Sequence, residues 1–150
     1  MNGLLNLFAL ENQCDPNKFG KEVHLDKISD DMYRVSEFGI FKPILEGGNL
    51  VDNSIAEILC KYVADQISSI KEVKIWRKST DETWNNYSEI IYKNHLNLKN
   101  IKRVKSDGFR IYQLYFDRIY VSSNLKEKLI LECEKSDKLE FDNEFPMYVA

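Results

Sequence analysis

Apolar positions in the first 50 residues alternate or run in short blocks, the signature of strands. "LLNLFAL" (4–10) and "KEVHLDKI" (21–28) each read as one strand, the first where a leader could also be sought. "MYRVSEFGIFKPIL" (32–45) holds two shorter runs, with Gly39 at a bend, and the Ser29-Asp30-Asp31 before it reads as a turn. "EGGN" (46–49) is a loop, since Gly47 and Gly48 take positive φ without a steric penalty. The period then changes. In "DNSIAEILCKYVADQISSI" (52–70), Ile55, Ile58, Leu59, Tyr62, Val63 and Ile67 recur at three- and four-residue spacing and predict one helix face. Asp52, Asn53 or Ser54 is placed to cap its first amides, and Glu57 fits a capping box with Ser54.

"KEVKIWRK" (71–78) reads as a strand, with Val73 and Ile75 on one face and Lys74 and Trp76 on the other. In "TDETWNNYSEIIYKNHL" (80–96), Trp84, Tyr87, Ile90 and Ile91 fit helical spacing, so a second helix is expected. Ser106-Asp107-Gly108 signals a hairpin turn, because Asp-Gly supplies positive φ. After it, residues 109–116 carry large side chains on both faces and predict a central, doubly covered strand. "NLKEKLILEC" places Leu125, Leu129, Ile130 and Cys133 along one side of a last helix, and "KLEFD" and "FPMYVA" close as short strands. The pattern as a whole predicts a single α+β domain over residues 1–150, a mixed or antiparallel sheet packed by two or three helices.

Composition narrows the function classes. A chain of 150 residues with 43% hydrophobic and 30% charged residues buries a core and is not a disordered segment. The apolar run near the start follows no basic residue and stops at Glu11, which argues against a signal peptide. No run approaches the roughly 20 apolar residues of a membrane span, so no membrane association is expected. Cys14, Cys60 and Cys133 are odd in number and widely spaced, which suits reduced thiols in a cytoplasm. Cys60 and Cys133 fall on apolar helix faces and are expected in the core.

Charge is segregated. Residues 1–70 carry six basic and eleven acidic groups, whereas residues 71–118 carry eleven basic and six acidic. Residues 131–150 return to two basic and six acidic. The basic "KNIKRVKSDGFR" is the one candidate nucleic-acid footprint, but the acidic flanks would repel phosphates, and no nucleic-acid partner is expected.

Candidate chemistry is sparse. Ser122 and Ser123 lie between a strand and a helix, but lack the glycines of a nucleophile elbow, so they are read as helix caps. His24 and His95 have no partner at metal-ligand spacing, and neither a metal nor a cofactor is expected. A small enzyme would have to assemble a dispersed set such as His24, His95, Asp107 and Tyr112. Trp76 and Trp84 are candidates for a partner interface. Alternation in "KLEFDNEF" turns acids outward, so Asp137, Glu140, Asp142 and Glu144 are candidate rim charges for a basic partner.

One resemblance covers about a fifth of the chain, at residues 119–149. Val121, Ser122, Leu125, Lys126, Leu129, Phe141, Phe145 and Pro146 stand where bacterial polymorphic-toxin immunity proteins, including the MXAN-type group, have a similar pattern. Ser123 departs from it, replacing a usual Glu. The resemblance implies a small cytoplasmic α+β protein that binds and neutralises one cognate toxin domain, with no catalytic residues of its own. Another protein-binding adaptor, or a small enzyme with the dispersed set above, are the competing readings.

Overall fold

The computed structural model describes residues 6–13, 21–97 and 99–143. Along the chain run β1 (Leu7–Asn12), β2 (His24–Ser29), β3 (Met32–Glu37), β4 (Ile44–Leu45), β5 (Leu50–Asp52) and α1 (Asn53–Val63). β6 (Ile67–Arg77), β7 (Glu82–Tyr92), β8 (His95–Leu96), β9 (Ile111–Leu114), β10 (Arg118–Ser122), α2 (Ser123–Glu132) and β11 (Leu139–Asp142) follow. The strands form two sheets, ordered β11-β1-β10-β9-β8 and β2-β3-β6-β7-β5-β4. Both are mixed: β3 runs parallel to β6 and β8 parallel to β9, while the other ladders are antiparallel. The α+β expectation holds, with two sheets in place of one and two α-helices among the described residues. None of those helices is long and apolar enough to cross a membrane.

The largest apolar cluster joins both sheets through both helices. Ile55, Leu59 and Val63 of α1 meet Ile90 and Tyr92 of β7, Ile111 of β9, Val121 of β10, and Leu125 and Leu129 of α2. Each such side chain contributes about 1.5–3 kcal/mol by leaving water. Smaller clusters cover the far faces. Leu7, Tyr112, Leu114 and Tyr120 pack under Ile101, and Val23, Leu45, Leu50, Val73 and Ile75 surround Tyr33 and Tyr87. Gln66 crosses between the sheets. Its Nε2 donates to the Phe109 carbonyl at 2.7 Å, and its Oε1 accepts from the Ile111 amide at 2.9 Å.

Several expectations need correction. The helix from 52 stops at Val63, passes through one 3-10 turn, and becomes β6 at Ile67, so the last four residues of the predicted span, 67–70, are strand. Asp52 is its cap, accepting from the Ser54 amide at 2.9 Å. Residues 82–92 are β7, not a helix. The cause is a bulge: Val73 pairs with Tyr87 but Ile75 with Trp84, so β7 spends three residues where β6 spends two. That places Trp84 and Tyr87 on one face at a spacing a helix would also give.

Ser106-Asp107-Gly108 is not a hairpin, although Gly108 does take φ +66°. β9 finds β8 on one side and β10 on the other, and the tight turn falls later, at Tyr115–Phe116. β9 is nonetheless an interior strand with all four residues buried, as expected. Cys133 is buried, but Cys60 is exposed, because it sits one position, about 100° of helix, past the inward Leu59. Ile130 is likewise exposed on α2. Cys14, Glu144, Phe145 and Pro146 lie outside the described residues.

Candidate functional site

The hairpin between β9 and β10 turns on two aromatic residues in the left-handed region. Tyr115 has φ +49° and Phe116 φ +59°, and the Asp117 amide donates to the Leu114 carbonyl at 2.9 Å. This tight turn normally takes Asn-Gly, because a Cβ at positive φ crowds its own backbone. Two bulky aromatics there cost of order 1–3 kcal/mol each in strain. The strain persists because neighbours over-determine the loop. Gly47, at φ +64°, lies so close that a Cβ on it would stand 2.0 Å from the Phe116 carbonyl oxygen. Gln113 Nε2 donates to Asn49 Oδ1 at 3.0 Å and to the Gly47 carbonyl at 3.3 Å, and Tyr92 donates its hydroxyl to the Gly48 carbonyl at 2.5 Å. From this braced turn Phe116 stands 70% exposed and Tyr115 45% exposed.

Charge of both signs flanks the tip. On one side, the exposed His95 ring centre lies 5.9 Å from that of Phe116. The Asn100 side chain ties the His95 carbonyl at 2.8 Å to a basic loop carrying Lys99, Lys102, Arg103 and Lys105, all exposed. Buried Ile101 pins that loop, and the Asn97 carboxamide accepts from the Lys99 and Asn100 amides at 2.8 and 2.9 Å. On the other side, Arg118 Nη1 contacts Glu11 Oε1 at 3.3 Å. Glu11 faces Glu140 across the β1–β11 ladder. One row across the sheet thus runs from acidic Glu140 through the Glu11–Arg118 pair toward the aromatic turn and its basic loop.

Of the acids singled out in the sequence, Glu140 belongs to this row and Asp137 to the exposed turn just before β11. Asp142 is exposed further along β11, opposite Ala9. The tryptophans sit on the other sheet. Trp76 donates its indole N–H to Asp81 at 2.9 Å, and Trp84 stacks on Phe41 with ring centres 4.3 Å apart. Tyr115–Phe116 was missed because alternation through residue 116 disguised the turn, and no sequence signal marks a strained aromatic pair.

The dispersed catalytic set is only partly gathered. His95 and Tyr112 lie on adjacent strands, and Asp107 reaches Arg110 at 3.6 Å, but His24 opens β2 on the other sheet. The Tyr112 hydroxyl donates to the Lys105 carbonyl at 2.8 Å. Among the described residues no three His, Cys, Asp or Glu side chains converge as metal ligands.

Ser122 occupies the cap position of α2, yet its side chain does not cap. Its hydroxyl donates to the Gly108 carbonyl at 2.7 Å and accepts from the Arg110 amide at 2.9 Å. The cap reading is therefore corrected: Ser122 fastens the 108–110 segment to the start of the helix.

A buried carboxylate organises the second sheet. Glu89, 6% exposed, accepts from the Tyr33 hydroxyl and from Lys27 Nζ at 2.9 Å, with Lys71 Nζ at 3.6 Å. Burial opposes its ionisation, but the Tyr33 and Lys27 hydrogen bonds and the lysine charges outweigh burial and hold its pKa below the usual range. The Tyr33 hydroxyl is pushed far up, by burial first and then by Glu89. This cluster spans four strands and has the character of a structural clamp.

No family model matches the chain, and neither a curated protein nor a solved structure matches it.

Proposed function

We propose that this chain is a cytoplasmic protein-binding domain, and that it works as an immunity protein by covering a cognate toxin domain. The observation that carries the binding reading is the strained, outward Tyr115–Phe116 turn. Relaxed residues would serve a mere hairpin better, so holding two aromatics there suits an anchor for another molecule. The rim favours a protein over a nucleic acid. A nucleic acid would gain from Lys99, Lys102 and Arg103 but meet Glu140 and Glu11 as it crossed to the far edge of the same sheet. A protein surface accommodates an aromatic centre with charges of both signs around it. The toxin identity of the partner rests on the resemblance at residues 119–149, and the acids Asp137, Glu140, Asp142 and Glu144 would contribute the rim facing its basic groups.

The test is hydrogen exchange on the complex with a toxin domain encoded beside this chain. Protection is expected at 95–103 and 113–118. Protection confined to the Trp76–Trp84 hairpin would move the interface to the other sheet. Protection of the same turn by a single-stranded RNA oligonucleotide, with no effect of the toxin domain, would overturn the protein-binding reading.

A further inference from the structure

The second sheet carries a cleft that the protein-docking reading does not use. β3 and β6 run parallel, and their register ends at Arg34 opposite Trp76. Beyond that point β3 stays with β2, where His24 pairs with Glu37, and β6 stays with β7, where Arg77 pairs with Glu82. The inner edges of the two strands therefore splay at their carboxyl ends. In sheets with parallel strands, the crevice outside such ends is a recurrent ligand site, since the connections lead away in different directions. Here the crevice has a volume of about 660 Å³ and is lined by Arg34, Val35, Ser36, Phe38, Arg77, Lys78 and Ser79. That size suits a small molecule, not a single ion.

Its chemistry is one-sided. Three cations and two serines line it, with no carboxylate among the lining residues. Arg34 reaches Asp26 only at 3.8 Å and Arg77 reaches Glu82 only at 3.7 Å, both beyond hydrogen-bond range. Among the described residues, Lys78 forms no ion pair. The Arg77 guanidinium carbon lies 3.9 Å from the centre of the Phe38 ring, a cation–π contact that holds the head group at this wall. Phe38 itself remains half exposed. A guanidinium held against an aromatic ring, two further cations, two hydroxyls and an apolar wall match a phosphate joined to a flat or apolar body.

We propose that this cleft binds a phosphate-bearing small molecule of mononucleotide size, with Arg77 and Lys78 on the phosphate, Arg34 supporting them, and Phe38 against the body of the ligand. The site lies on the opposite sheet from the Tyr115–Phe116 turn, so the inference stands apart from the proposed protein partner.

The test uses the full chain, labelled with 15N, titrated with AMP, adenosine and a hexaglutamate peptide at low salt. AMP should shift amides in 34–38 and 77–79, adenosine should not, and inorganic phosphate should compete with AMP. Lys78→Glu, an exposed substitution that leaves the fold intact by circular dichroism, should weaken AMP about tenfold or more, the loss of one charge-assisted contact. Ser79→Ala should weaken it less. Absence of AMP shifts at millimolar concentration would overturn the proposal. Equal binding of hexaglutamate at the same amides would also overturn it, showing a site for acidic protein segments instead.

Discussion

Ser122 shows how a residue's position and its job can differ. It stands at the start of α2, as a capping serine would, but both hydrogen bonds of its hydroxyl go to the segment before β9. The sequence makes the helix start legible, because a small polar residue follows an apolar strand. It does not reveal the partner, because Gly108 and Arg110 reach Ser122 only through the β9–β10 hairpin. Ser122→Ala should therefore destabilise the fold by about 0.5–1.5 kcal/mol, the net worth of the part-buried hydrogen bonds its hydroxyl makes to the Arg110 amide and the Gly108 carbonyl. Hydrogen exchange should then quicken at 108–111 and stay unchanged in the first turn of α2. Faster exchange confined to that helical turn would restore the capping role.

Elements with a clean period were readable, and those with a broken one were not. α1 declares itself through Ile55, Ile58, Leu59 and Val63, all buried, and through Asp52 at its start. β7 misleads because its bulge sets Trp84 and Tyr87 three residues apart on one face. Its buried carboxylate was equally invisible: nothing local marks Glu89 as buried, since Tyr33, Lys27 and Lys71 come from three other strands. That clamp carries a pH dependence. The folded pKa of Glu89 is depressed, as is that of Asp52, where burial is outweighed by hydrogen bonds from Lys135, Ser54 and Asn86. Their stabilisation is complete above the unfolded carboxylate value of about 4 and is lost as pH falls through the folded values. Glu89→Gln should lower stability at neutral pH by about 1–3 kcal/mol and flatten the acid limb of the unfolding curve. An acid limb unchanged in slope would assign the pH dependence elsewhere.

At the scale of the whole molecule, the segregated charge of the sequence becomes two flanks of one surface. The basic middle of the chain supplies the loop at 99–105, and the acidic end supplies Glu140 beside Glu11. Charges at such a rim mainly set association rate and are screened by salt. Reversing Glu140, Asp142 and Glu144 to Lys should slow association with a toxin partner at low salt more than reversing Lys99, Lys102 and Arg103 to Glu. The opposite order would place the working rim on the basic loop at 99–105. What lay beyond the sequence was the aromatic centre between those flanks, because strain at Tyr115 and Phe116 depends on how Gly47 packs from a distant loop. Whether the turn is an anchor is decided by the double variant Tyr115→Asn, Phe116→Gly, assayed for both stability and partner affinity. Unfolding free energy should rise by about 1–2 kcal/mol, the relieved strain being partly offset by the apolar contacts the two aromatics lose, while affinity for the toxin domain should fall about a hundredfold with loss of the anchor. Unchanged affinity in a variant that still folds would contradict the anchor role.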